Sequence, residues 1–313
     1  MTELRTVADG LMFPEGPIAM PDGSVVLVEI RRGTLTRVHP GGRTEVVAET
    51  GGGPNGAALG PDGRVYICNN GGFEWLDEPG GLTRPIGQAL DYSGGRIEAV
   101  DLKTGAVEVL YTECEGRPLK GPNDIVFDGE GGFWFTDLGK VRDDERNWDR
   151  TGIHYARADG SFIAEAAFPL ITPNGIGLSP DDSAVYVAET QTGRLWAFDI
   201  EAPGVLKKQP WPSPHGGRLV NQTHGYRTLD SLAVDAEGNI CVATLMDPGI
   251  TIFRADGSGL EHVPMPDPYT TNICFGGADL RTAFITQSRE GKLLSCPWPA
   301  PGLPLHYLNE RPG

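Results

Sequence analysis

The sequence is poor in positive charge, in paired cysteines, in helical periodicity and in long apolar runs, and each shortage removes a class of protein. Lys and Arg number 26 against 42 Asp and Glu, a formal net charge of −16, which repels phosphate backbones and anionic lipid. Nucleic acid and acidic membrane surfaces are therefore not expected partners. No apolar stretch approaches the roughly 20 residues of a membrane helix. The opening "MTELRTVADG" lacks the basic start and apolar core of a secretory signal, so the expected compartment is the cytoplasm. The five cysteines, Cys68, Cys114, Cys241, Cys274 and Cys296, are odd in number and contain no CxxC pair, which excludes a disulfide framework and a zinc-thiolate site. Cys68 and Cys241 sit in apolar strand patterns and read as reduced core residues. The acidic residues are dispersed and mostly read as solvated surface, with a few left to hold a cation.

What the chain does have is turns, with 44 Gly and 26 Pro, and short alternating apolar runs with no sustained 3.6-residue period. Six segments align with one another: "EGPIAMPDGSVVLVEI" from Glu15, "NGAALGPDGRVYICNN" from Asn55, "NDIVFDGEGGFWFTD" from Asn123, "NGIGLSPDDSAVYVAET" from Asn174, "DSLAVDAEGNICVAT" from Asp230 and "NICFGGADLRTAFITQS" from Asn272. Each opens on Glu, Asn or Asp, continues as a small-residue strand, turns, and returns as an aromatic or β-branched strand. Asp-Gly supplies the positive φ that tight turns need. The openings fall 40, 68, 51, 56 and 42 residues apart, a mean of about 51, the length of a four-stranded propeller blade. Third strands follow in "GTLTRVHP", "GRIEAVDLKTG" and "GRLWAFDI", and fourth strands in "RTEVVAE" and "AVEVLYTE". These patterns predict an all-β protein, a six-bladed β-propeller with four-stranded blades around a central metal-binding channel, spanning 1–313 as one domain.

Because blade strands alternate in direction, the six opening residues are expected around one mouth of the channel. Turn capping explains an Asn or Asp at any one of these positions. It does not call for Glu15, nor for six carboxylates or carboxamides in a ring. Oxygen donors alone suit a hard divalent cation, Ca²⁺ first, with Mg²⁺, Mn²⁺ or Zn²⁺ able to use the same site. A cation would also relieve the repulsion between Glu15 and Asp230. The loops expected at this mouth include the long insertions 71–95, 138–151 and 203–229, while the opposite hairpins stay short, which marks the mouth as a binding face.

The motifs "FPEGP" at Glu15, "GPNDIVFD" at Asn123, "TPNGIGLSPD" at Asn174 and "LDSLAVDAEGNICVAT" at Asp230 together resemble the senescence-marker-protein/gluconolactonase (regucalcin-like) family of six-bladed propellers. More distantly the chain resembles squid-type diisopropyl fluorophosphatase and the paraoxonases. The resemblance implies a metal-dependent hydrolase acting on lactones of sugar acids such as gluconolactone, with Glu15, Asn174 and Asp230 as metal ligands and Asn123 as a further ligand or a substrate contact. Animal members that act on aldonolactones carry Arg two residues before the Asn matching Asn123, whereas here Gly121 follows Lys120.

Lactone hydrolysis needs a polarised carbonyl, an activated water and a stabilised oxyanion. Asp230, the only Asp of the ring, is the expected general base, with direct nucleophile as its alternative role. Asn55, Asn123, Asn272, Asp137 and His224 are the candidate substrate contacts, with turn capping the equal alternative for Asp137 and a solvated loop position the alternative for His224. His215 lies in the same long loop as His224, and His39, His154, His262 and His306 read as structural. Arg142, Arg146 and Trp148 belong to a loop able to close over the mouth, and Trp75, Trp148 and Trp211 are candidates for apolar or sugar-stacking walls. Phosphotriester hydrolysis on the same metal, and a non-catalytic binding propeller, are the competing readings. The oligomeric state stays open.

Overall fold

A computed structural model describes residues 3–141 and 147–309, and contains no helix among them. Among the described residues, five four-stranded antiparallel sheets and one five-stranded sheet form the six blades, with two two-stranded hairpins, Phe73–Glu78 with Leu82–Gln88 and Glu113–Cys114 with Arg117–Pro118, beside them. Blade 1 comprises Pro14–Ala19, Val25–Glu29, Thr34–Val38 and Thr44–Glu49, from the axis outward, and blade 2 comprises Pro54–Leu59, Val65–Asn69, Arg96–Val100 and Val107–Tyr111. Blade 3 runs Pro122–Phe127, Gly132–Asp137, Thr151–Arg157 and Ile163–Leu170. Blade 5 runs Thr228–Val234, Ile240–Leu245, Gly249–Phe253 and Leu260–Pro264. The inner strands pack in a closed circle, each against the next and the sixth against the first.

Two blades depart from the simple repeat. In blade 4, inside Pro173–Leu178, Ala184–Glu189 and Arg194–Ala202, the outer strand is split: Val205–Lys207 pairs near Asp199 and Arg218–Gln222 pairs with Arg194–Ala197. In blade 6, Thr270–Gly276, Thr282–Gln287 and Lys292–Pro297 are completed by Arg5–Ala8 from the N-terminus, which closes the ring by hydrogen bonds between the two ends of the chain.

The core is six apolar wedges, one between each pair of neighbouring blades. Second strands supply most of it; those of blades 1 to 5 are buried at every residue, so both faces are packed and the sequence reads as continuous apolar runs. Cys68 and Cys241 are fully buried in these wedges, and all five cysteines are free. The turns follow from their sequence: Gly23 and Gly63 adopt φ of 83° and 77°, and Asp22 accepts hydrogen bonds from the amide and hydroxyl of Ser24. At the end of the axis remote from the six opening residues, the segment after blade 6 crosses the channel. The Leu303 amide donates to the Val234 carbonyl, His306 pairs with Asp182 at 2.7 Å, and Leu303, Leu305 and Leu308 close an apolar cavity of about 100 Å³. His306 therefore has a structural place in this crossing segment.

Candidate metal and catalytic centre

Each opening residue sits near the start of an inner strand, and every inner strand has a register shift there. The shifts fall at Glu15/Ile18, Pro54/Ala57, Pro122/Ile125, Pro173/Ile176, Leu229/Leu232 and Thr270/Asn272. A bulge leaves one residue out of the ladder and re-aims its side chain. Small residues then let neighbouring strands close up: a Cβ on Gly175 would lie 2.6 Å from the Asp230 carbonyl oxygen, and one on Gly56 would lie 2.5 Å from the Asn123 carbonyl oxygen. The six opening residues are thereby gathered around the axis, five of them buried and Asp230 partly so.

The Glu15 carboxylate accepts hydrogen bonds from the Gly16 amide and the Asn272 Nδ2, both at 2.7 Å, and burial raises its pKa. Asp230 is pushed well above the ordinary carboxylate range, first by burial and then by the Glu15 charge, while a hydrogen bond from Asn174 works the other way. Asn174 also donates from Nδ2 to the Thr190 hydroxyl at 3.1 Å, and its carbonyl accepts from the Thr136 hydroxyl at 2.6 Å. Asn123 is buried, and its Oδ1 has no hydrogen-bond partner among the described residues.

A third carboxyl group escaped the sequence reading. Asp124 is buried, accepts from the Ile125 amide at 2.9 Å, and is raised to about 7 by burial and then by the charge of Glu15. A signal was present: the residue after each opening position is Gly16, Gly56, Gly175, Ser231 or Ile273, and only blade 3 has an acid there. No Lys or Arg is named among the largest influences on Glu15, Asp124 or Asp230. Two buried acids, the half-buried Asp230 and the amide oxygen of Asn123 are therefore gathered with no cation, among the described residues, leading their electrostatics. Among the described residues no three His, Cys, Asp or Glu side chains form a metal cluster by themselves. Here carboxylates are interleaved with carboxamides, an all-oxygen set that fits a hard cation.

Two expected substrate contacts are employed otherwise. Asp137 accepts from the Gly121 and Gly139 amides through Oδ1, at 2.7 and 2.9 Å, and from the Lys120 amide through Oδ2 at 2.7 Å. Both oxygens thus hold the loop that delivers Asn123. The same arrangement recurs at the ends of other second strands: Glu29 accepts from the Met12 amide, Asn69 from Gly53, Glu189 from Ile171 and Gln287 from Asp267. A polar residue ending a buried strand was the available sequence sign. Asn272, likewise expected at substrate, donates to Glu15 and accepts from the Ile273 amide at 2.8 Å, so it orients the acid.

Asn55 keeps its place in the ring. His224 is exposed on the stretch leading into blade 5, and none of the hydrogen bonds among the described residues joins it to the ring. The insertion 203–229 supplies both pieces of the split outer strand, leaves Trp211 91% exposed and buries His215 against Trp196 and Phe198. Trp148 is 40% exposed, and Arg142 and Arg146 lie outside the described residues. Trp75 does reach the mouth, its ring 5.0 Å from that of Phe13, two residues before Glu15. At Gly121 a Cβ would lie 2.8 Å from the Gly139 carbonyl oxygen, so this loop has no room for the Arg of the animal lactonases.

Residues 13–289 match the family model described as the SMP-30/Gluconolactonase/LRE-like region. A gluconolactonase of Zymomonas mobilis is 25% identical over 92% of this chain and 79% of its own, and the diisopropyl-fluorophosphatase of Loligo vulgaris is 28% identical over 68% of this chain and 72% of its own. Among solved structures, a calcium-binding protein, regucalcin, from Agrobacterium tumefaciens superposes with a TM-score of 0.73 at 19% identity, covering 97% of this chain and 98% of that one.

Proposed function

The chain belongs to the SMP-30/gluconolactonase/LRE-like family, and from that premise we propose that it is a divalent-metal-dependent lactonase that opens the ring of a sugar-acid lactone. The observation that carries this reading is the buried Oδ1 of Asn123, which has no hydrogen-bond partner among the described residues, in the same ring as Glu15 and Asp230 and next to Asp124, three acids whose largest named influences include no Lys or Arg. Glu15, Asn123, Asn174 and Asp230 would hold the ion, Ca²⁺ by the chemistry of an all-oxygen site, and when bound it supplies Lewis-acid polarisation of a carbonyl and stabilisation of a developing oxyanion.

The remaining work falls to the chain. Asp230 takes a proton from the attacking water on a carboxylate oxygen; burial and the Glu15 charge push its carboxyl toward the protonated form, and a cation beside it would favour the ionised form that a base needs. The water oxygen bonds to the acyl carbon, the ring C–O bond breaks, and the proton passes to the departing alkoxide, giving the hydroxy acid. Asn174 holds the Asp230 carboxylate, and Asn272 holds Glu15. Asn55 is the ring residue left to meet substrate hydroxyls.

A panel of aldono-, uronic-acid-derived and aliphatic lactones, assayed with a pH indicator after chelation and again after metal add-back, tests the proposal. Turnover lost on chelation and restored by Ca²⁺ or another divalent ion supports it; no turnover of any lactone with any metal sinks it. The likeness to the squid fluorophosphatase favours a second reading, phosphotriester hydrolysis at the same centre. That reading prevails where metal-dependent activity on an organophosphate exceeds activity on every lactone.

A further inference from the structure

Glu15 is bracketed by two left-handed residues, Phe13 with φ of 59° and Gly16 with φ of 51°. The second is suited to glycine, whereas the first puts a bulky side chain in a backbone conformation that its Cβ disfavours. A residue held in this way is over-determined by its surroundings, and such positions cluster at functional sites. The same backbone state recurs in blade 4, where Thr172, two residues before Asn174, has φ of 47°. Both carbonyls are used alike: Phe13 accepts from the Ile30 amide and Thr172 from the Thr190 amide, each at 3.0 Å. The Thr172 hydroxyl adds a further hold by accepting from the Gln191 amide at 3.0 Å. Phe13 has no polar side chain to do the same, and what holds it is its ring.

That ring is buried in a stack drawn from three blades. It meets Trp75 with ring centroids 5.0 Å apart and Tyr269 edge-on at 5.8 Å. Trp75 in turn carries the Arg31 guanidinium 5.9 Å from its centroid and meets Phe73 at right angles at 6.0 Å, so its own orientation is fixed from two further sides. Trp75 belongs to the hairpin inserted in blade 2, which lies over blade 1 and reaches blade 6. Asp77 pairs with Arg31, Glu78 pairs with Arg289 at 2.7 Å, and the Thr83 amide donates to the Arg289 carbonyl at 3.3 Å. Tyr269 leads into the inner strand of blade 6, and its carbonyl accepts from the Ser288 amide at 2.9 Å. The Ser288 hydroxyl donates to the Pro14 carbonyl at 2.6 Å, one residue from Glu15. Both partners of the Phe13 ring are thus anchored to neighbouring blades, and both press on the residue whose backbone sets the approach to Glu15.

We propose that Trp75 and Tyr269 are positioning residues for the metal centre: by packing on Phe13 they hold its left-handed backbone and so fix the direction of the Glu15 carboxylate toward the axis. This rests on the metal-dependent reading of the site. Coupled equilibria are reciprocal, so a bound cation in turn holds the hairpin against blade 1. Wild type, Trp75→Phe, Trp75→Ala, Tyr269→Phe and Tyr269→Leu are stripped with a chelator and titrated calorimetrically with Ca²⁺, and amide hydrogen exchange across residues 73–88 is followed with and without Ca²⁺. The Kd for Ca²⁺ should rise about tenfold in Trp75→Ala and in Tyr269→Leu, and stay within about twofold of wild type in Trp75→Phe and Tyr269→Phe, which keep a ring in place. Ca²⁺ should slow exchange in the hairpin of wild type and not in that of Trp75→Ala. A stack with a structural role alone lowers the unfolding midpoint of the chelated variants and leaves the Kd of the folded proteins unchanged, a result that overturns the proposal. Should Trp75→Ala fail to fold, the two Tyr269 variants decide the question from the other side of the Phe13 ring. If wild type binds no Ca²⁺, Mg²⁺ or Mn²⁺, the metal-dependent reading falls and the positioning role with it; if wild type binds and every variant binds as tightly, the positioning role falls alone.

Discussion

The carboxyl of Asp124 measures how much uncompensated negative charge the channel mouth carries. Burial and the Glu15 charge raise it from 3.8 to about 7, whereas in the unfolded chain it ionises near 3.8. Between about pH 4 and 7 the folded protein therefore keeps a proton that the unfolded chain has released. The stability this contributes is complete below pH 4 and is lost as pH rises through 7. At ~1.4 kcal/mol per unit over about three units, the loss is about 4 kcal/mol, large against the roughly 5–15 kcal/mol that holds a domain folded. Asp124→Asn removes the charge and keeps an oxygen for the Ile125 amide. In urea unfolding with EDTA present, the stability of the variant relative to wild type should rise by about 4 kcal/mol from pH 4 to pH 8. Saturating Ca²⁺ should flatten the wild-type curve, because a cation beside the acids favours their ionised forms. Parallel pH curves for the two chelated proteins would refute the reasoning.

Asp230→Asn should keep the fold and much of the metal affinity while losing at least about a hundredfold in turnover, the usual scale for a lost general base; full turnover with metal bound removes Asp230 from that role. Asp137→Ala leaves the amides of Lys120, Gly121 and Gly139 without their acceptor, and should lower stability by about 2–5 kcal/mol in denaturant unfolding. Gly175→Ala drives a Cβ to within 2.6 Å of the Asp230 carbonyl oxygen and should destabilise by several kcal/mol, whereas Gly80→Ala meets nothing within 4 Å and carries only the strain of its φ of 85°, about 1–2 kcal/mol, a difference that thermal melts of the two variants read directly.

Much of the fold could be read because its signals are local. A tight turn, Pro-Asp-Gly in the first two repeats, with a small-residue strand before it and an aromatic or β-branched strand after it, needs only a few neighbouring residues to declare itself, and the strand-turn-strand pattern recurs six times. The ring of opening residues followed from that repeat, and the buried cysteines from strand patterning. Asp124 was overlooked because its neighbour Asn123 occupies the repeat position, and only the bulge between Pro122 and Ile125 decides which of the two side chains turns toward Glu15. Their places at the mouth make Asp137 and Asn272 candidates for substrate, with turn capping open for Asp137 from the sequence, but the sequence does not name their partners. Those partners are backbone amides brought in by loop geometry, and a carboxylate 257 residues away in the chain.

From its own order of residues the chain determined six blades, the turns within them, and a circle of acid and amide side chains at one mouth, since alternation and turn chemistry act over a handful of residues. Tertiary structure alone decided that Arg5–Ala8 seals blade 6, that the blade 2 hairpin lies over blade 1, that the outer strand of blade 4 is split, and that a third acid faces the axis. Each of these depends on pairing or packing between segments far apart in sequence, where the free energy is set by which backbone groups and charges meet once the ring closes.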